Sequence, residues 1–195
     1  MEKDRNFDTD NRRKLKPWHG LLLFGIVMVS FYTIIAWAQM KWGMYGLALT
    51  ELYLLLLSIV AVKLLKIPIK EIFPLEKPKW KKTLGVLLMW ASSYALMMPV
   101  TMFMAYFFPK EIFAVSEGLN EVIYSVPLIL SVFISSVMPA VCEEALHRGF
   151  ILKSFQNKWK NKWFLSLLMG IIFGVFHGSI WRFLPTAILG GILTY

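Results

Sequence analysis

Residues 142–150 read CEEALHRGF, placing two carboxylates, a histidine and an arginine within six positions of an otherwise apolar stretch. Glu144 and Arg148 are four residues apart, so a helix brings both to one face, where a charge-assisted pair can form. Glu143 lies one position away, about 100° of helical rotation. It is free to project toward another helix while the arginine neutralises its neighbour. Glu143 and His147 also stand four apart and could share the opposite face. Pro139, four residues before Glu143, leaves the carbonyl of Ser135 without its helical donor. A bend or polar opening is expected there, with Ser135 and Ser136 at hand to satisfy it.

A second apolar stretch, LLMGIIFGVFHGSIW, holds His177 together with Gly170, Gly174 and Gly178 at four-residue steps. Such small residues let helices approach closely. A carboxylate in a poorly solvated cavity can take a proton from water, and an imidazole can orient that water or stabilise the oxyanion of an attacked amide. This is hydrolysis without a side-chain nucleophile. A zinc version would use His and Glu ligands with a Glu as base, and Glu143, Glu144, His147 and His177 are the contributors at hand. They do not make up a demonstrated ligand set. Cys142, the single cysteine, excludes an internal disulfide and a Cys-based zinc cluster, and a lone buried cysteine usually behaves as a small hydrophobe. Glu144 to His147 also matches the Glu-x-x-His of di-iron bundles, but no second copy exists.

Elements that could position these groups follow from composition. Of the 195 residues 57% are hydrophobic and 17% charged, and the mean hydropathy is +0.59, values of a membrane protein. The expected fold class is all-α, a polytopic transmembrane helix bundle of about six spans. The runs are Trp18 to Ala38, read as an uncleaved first helix, then about Met44 to Val62, Thr83 to Phe108, Val122 onward through CEEALHRGF, about Trp163 to Trp181, and Phe183 onward. The last run is still apolar at Tyr195, so the sixth span is expected to be incomplete. Pro99 inside the third predicts a tilted, kinked span.

Lys and Arg outnumber Asp and Glu by 21 to 12, a net charge of +9. They fall in short blocks between apolar runs, seven lysines lying between Lys63 and Lys82, and they lack the aromatic-interleaved surface that nucleic acid binding wants. They read as topology and lipid-headgroup signals, and no nucleic acid partner is expected. Basic-rich and basic-poor connections alternate, in step with a cytoplasmic N-terminus. Residues 1–17 are a polar lead-in, 18–121 the N-terminal helices with the lysine-rich cytoplasmic loop, and 122–195 the region of the candidate site. With Lys153 at the cytoplasmic boundary, Glu143 lies about 15 Å inward, and His177 lies about 22 Å beyond Lys162. Ionisable residues at such depth face a bundle interior or water cavity and are functional by default.

EEALHR, Glu143 to Arg148, resembles the EExxxR first motif of the CPBP (Abi) family, intramembrane proteases similar to the type II CAAX prenyl protease. FGVFH, Phe173 to His177, resembles that family's FxxxH second motif, and the resemblance covers roughly Val126 to Tyr195. It implies that Glu143 is the water-activating base, Glu144 and Arg148 a supporting carboxylate and its organiser, and His177 a contact to water or oxyanion, with Phe173 packing at the site. A divalent metal such as zinc, with Glu143 and His177 as its candidate ligands, is in keeping with the family. The family's third motif, a His followed four residues later by Asn or Asp, would lie beyond Tyr195. His147 stands where the family more often has an apolar residue.

The expected function is an intramembrane endopeptidase in the plasma membrane. It would hydrolyse a membrane-associated protein or peptide, such as a prenylated protein, a pheromone precursor or a bacteriocin-like peptide. The alternative is a non-catalytic membrane immunity or interaction protein that keeps the fold without a complete site.

Overall fold

The computed structural model describes residues 15–73 and 79–195. Most of the lead-in, together with Pro74, Lys77 and Pro78 of the lysine-rich loop, lies outside the described residues. The rest is a helical bundle with no strand among the described residues.

Helix α1, Pro17–Trp42, opens with proline at its first helical position, where the missing N–H costs nothing. It ends at Gly43, whose φ of 51° turns the chain back into α2, Met44–Leu64. Few residues other than glycine adopt that conformation. The two helices run side by side, held by Gln39 Nε2 donating to Thr50 Oγ1 at 2.9 Å and by the Ser30 and Tyr53 hydroxyls at 2.7 Å. Helix α3, Trp80–Phe107, passes through Pro99 as one continuous helix. Pro109 then starts α4, Pro109–Ile123, a helix in the segment with one lysine and three glutamates, and none of its residues is buried.

Helix α5, Leu128–Gln156, carries the acidic motif and is the centre of the bundle. α2 packs against its Met138–Glu144 stretch, and α1 packs against Leu152–Gln156. The core between them is Val27, Leu54, Leu146, Phe150, Phe155 and their neighbours. Gly20 and Gly149 mark close passages beside α5. A Cβ on Gly20 would run into the Ser154 side chain, and one on Gly149 would meet the Phe73 ring at 2.6 Å. Lys153 donates to the carbonyls of Glu71 and Ile72, the latter at 3.0 Å, tying the end of the one-turn helix Ile69–Ile72 to α5.

The fifth run departs from expectation. Instead of one span to Trp181, α6 covers Lys162–Phe176, and α7 begins at Ile180 and ends at Ile192. With 15 and 13 residues, they are about 22 and 20 Å long, short of a hydrocarbon core of about 30 Å. The break is made by Gly178, whose φ is 61°. Among the described residues, four helices are long and apolar enough to cross: Pro17–Trp42, Met44–Leu64, Thr83–Phe107 and Leu128–Gln156. α6 and α7 form a tight antiparallel hairpin. A Cβ on Gly170 would lie 2.6 Å from the Ala187 carbonyl, and one on Gly174 would lie 2.8 Å from the Phe183 ring. Gly170 and Gly174 therefore do the packing expected of the glycine steps, while Gly178 serves the turn.

Candidate active site

Helix α5 is irregular on both sides of its acidic pair. A π-helical turn, Phe133–Val137, precedes Pro139, and another, Ala145–Ile151, follows Glu144. The first accompanies Pro139. Proline at 139 cannot donate, and the helix widens by one residue just before it, with Met138 N–H reaching back to the Phe133 carbonyl. The opening expected at Pro139 takes this form.

Glu144 and Arg148 form the expected ion pair across one turn. Arg148 is the deeper partner, its side chain 16% exposed against 42% for Glu144. Its guanidinium also lies over the Phe173 ring, 5.7 Å from the centroid. With Arg148 so engaged, Glu143 is left without a side-chain hydrogen bond among the described residues. Its electrostatic partners are Arg182, from the first turn of α7, and Arg148.

His177 follows the last residue of α6, where the helix gives way to the turn. Its Nδ1 bonds the Phe173 carbonyl at 2.8 Å. A carbonyl only accepts, so this bond assigns the proton to Nδ1 and leaves Nε2 of the neutral ring with a lone pair to offer. His177 interacts electrostatically with Arg182. Glu143 and His177 thus share Arg182 as a neighbour, without a direct hydrogen bond between them.

His147 does not pair with the Glu143 carboxylate as the spacing allowed. It is 1% exposed, and its Nδ1 bonds the Glu143 backbone carbonyl at 3.0 Å. Its ring packs edge-on against Phe173 at 5.0 Å and Phe176 at 4.8 Å. It also lies within electrostatic range of His177. Phe173 is the common floor, touching His147, His177 and Arg148.

Two residues at the site are absent from the sequence reading. Glu51 on α2 is 2% exposed, its Oε2 lacks a hydrogen-bond partner, and it couples electrostatically to Glu143. Arg182 couples to both Glu143 and His177. Each carried a signal, a lone charge inside an apolar run, which at membrane depth marks function by default.

Among the described residues, no group of three or more His, Cys, Asp or Glu side chains is placed to hold a metal ion. Glu143 and His177 offer two donors, and a catalytic zinc takes three protein ligands. The donor set as placed does not fit a metal. The arrangement can nevertheless activate water: an unbonded carboxylate, an imidazole with a free lone pair and a guanidinium converge on one region between α5, α6 and α7.

Residues 125–195 match the family model described as Type II CAAX prenyl endopeptidase Rce1-like. The matched stretch begins just before α5 and contains both motifs and both helices of the hairpin, in agreement with the CPBP resemblance. No curated protein matches the chain, and no solved structure matches it.

Proposed function

We propose that this chain is an intramembrane endopeptidase in which Glu143 activates water against a peptide bond of a membrane-associated substrate. The observation that supports this most is the division of labour on α5: Glu144 occupies Arg148, and Glu143 is left facing Arg182 and the end of α6. The match to a prenyl endopeptidase family over this same stretch points to a prenylated protein or a peptide precursor as substrate. Positive charge concentrated in alternate connections supports a plasma-membrane protein with its N-terminus in the cytoplasm.

In this reading Glu143 takes a proton from water as the water oxygen bonds to the carbonyl carbon of the scissile amide. His177 Nε2, a lone-pair donor in the tautomer fixed by Phe173, accepts the second water hydrogen and orients the nucleophile. The oxyanion forms on the carbonyl oxygen and needs hydrogen-bond donors, a task that suits the guanidinium of Arg182 better than a neutral His177. Collapse of the tetrahedral intermediate breaks the C–N bond, and Glu143 returns its proton to the departing amine. Glu144 and Arg148 act as positioning residues for the turn that carries Glu143.

The test is Glu143→Gln in the full chain, reconstituted in vesicles with a fluorogenic prenylated peptide. Loss of cleavage with unchanged insertion and thermal unfolding supports the base assignment, and undiminished cleavage overturns it. The rival reading, a non-catalytic immunity or interaction protein, draws on the lack of a direct bond between Glu143 and His177. Wild-type protein that cleaves no such peptide would favour it.

A further inference from the structure

Helix α4, Pro109–Ile123, takes no part in the hydrolysis described above, and its surface is unlike that of the spans around it. At about 100° per residue, Ile112, Val115, Leu119, Val122 and Ile123 fall within a stripe about 100° wide, and Lys110, Glu117 and Glu121 fall on the opposite side. No residue of α4 is buried, and Leu119, in the middle of the stripe, is 42% exposed. Protein therefore does not cover the apolar face. Something must, because a helix of 15 residues is marginal in water on propensity alone, and Gly118 weakens it further.

Where α4 lies decides what covers it. Lys153, near the end of α5, donates to the Ile72 carbonyl in the connection between α2 and α3. The end of α5 and the start of α3 are thus on one side of the membrane, and the start of α5 and the end of α3 are on the other. α4 bridges those last two. One residue, Phe108, separates it from α3, and residues 124–127 separate it from α5. Trp181, in the first turn of α7, packs on Phe108 with 4.9 Å between ring centroids and holds the corner from a third helix. Lys110, Glu111, Glu117 and Glu121 keep α4 itself out of the hydrocarbon core.

We propose that α4 is an interfacial helix: tethered at one membrane surface by α3 and α5, it lays its uncovered stripe of Ile112, Val115, Leu119, Val122 and Ile123 on the acyl chains of that leaflet and turns Lys110, Glu117 and Glu121 to water. The occupant of the face is the bilayer, which the neighbouring spans bring to both ends of the helix, rather than a second copy of the chain. The polar side carries more acid than base, so it gains nothing from anionic headgroups. Apolar burial alone holds the seat.

Spin labels on cysteines introduced into the full chain test this directly. Cys142, the native cysteine, is buried, and wild-type protein treated with the same label is the blank. In phosphatidylcholine vesicles, labels at Val115→Cys and Leu119→Cys should collide with oxygen, which concentrates among acyl chains, several-fold more often than with a water-soluble nickel chelate. Labels at Glu117→Cys and Glu121→Cys should show the reverse order, and added phosphatidylglycerol should change neither pattern. Equal nickel access at all four positions overturns the proposal, because the stripe would then face water. Shielding of Val115 and Leu119 from both reagents also overturns it, because protein would then cover the face. So does a stripe that meets oxygen only when phosphatidylglycerol is present. Thermal unfolding at the wild-type temperature checks each variant, and Val122→Cys replaces a stripe position that fails this check.

Discussion

Helices α3 and α5 are built from similar material, 28 and 29 residues long, apolar and interrupted by one proline each. They behave differently. α3 carries no Asp, Glu, Lys, Arg or His from Thr83 to Met104, keeps regular α-helical geometry through Pro99, and among the described residues buries only Ser93 and Met104. α5 carries Glu143, Glu144, His147, Arg148 and Lys153, widens into π-helix twice, and buries ten side chains from Ser131 to Phe155. Proline alone therefore does not disrupt a helix here. In α5 the irregularity brackets Glu143 and Glu144, although the apolar α1 also has a π turn at Phe31–Ile35, and a π turn re-aims everything beyond it by one residue. Lipid tolerates a uniform apolar cylinder such as α3, whereas groups that need partners require protein on every side.

The sharpest way to break this contrast is at Glu143. Glu143→Gln should lower kcat for a prenylated peptide by about 10²–10⁴-fold, the usual worth of a general base. Pro99→Ala in α3 should leave cleavage unchanged. Comparable losses in both variants would mean that α5 holds no privileged chemistry. A second contrast lies within the ion pair. Glu144→Ala leaves the deeper, 16% exposed Arg148 side chain unpaired, while Arg148→Ala leaves a 42% exposed Glu144 that water can reach. The first should therefore destabilise more, by about 1–3 kcal/mol in thermal unfolding, below the 3–5 kcal/mol typical of breaking a fully buried pair. The double variant should recover part of that loss. An order of stability with Arg148→Ala as the worse single change would show that Glu144, not Arg148, carries the burial cost.

How much of this was legible beforehand follows the same divide. Local spacing and hydropathy were enough for the Glu144–Arg148 pair, the isolation of Glu143 and the four long spans, because all depend on neighbours in sequence. The π turns were out of reach, since they depend on how α5 meets its surroundings. So was the end of α6 at Phe176: apolar residues resume at Ile180 after only three positions, and the stop comes from a positive φ at Gly178. Glu51 and Arg182 were visible as charges in apolar runs, but their meaning needed the packing of α2 and α7 around α5.

The hairpin gives a third, intermediate test. In Gly170→Ala the new methyl group would sit 2.6 Å from the Ala187 carbonyl, a backbone atom that cannot swing aside. The overpacking should cost about 1–3 kcal/mol. It should also shift α7, and Arg182 with it, so kcat should fall more than KM rises. Gly118→Ala on α4, where a Cβ meets nothing within 4 Å, is the matched control. Equal melting temperatures for the two variants would show that α6 and α7 are less tightly joined than the glycine contacts require.

The smallest expected effects compare leucines, and they isolate what holds a bundle together in lipid. Leu146 on α5 is 0% exposed in the core, and Leu88 on α3 is 61% exposed on its outer face. In water, truncating a core leucine loses both transfer free energy and packing, about 2–5 kcal/mol. In a bilayer the transfer part largely vanishes, because acyl chains are as apolar as leucine, and the cavity part remains. Leu146→Ala should then cost about 1–2 kcal/mol, and Leu88→Ala should stay within about 0.5 kcal/mol of wild type, since lipid fills the space that the side chain vacates. Equilibrium unfolding of both variants in the same bilayer measures the difference. A Leu146→Ala cost as small as that of Leu88→Ala would mean that the α5 core is loosely packed. The orientation of Glu143 would then rest on Arg182 and the Glu144–Arg148 pair rather than on the fit of the helices around it.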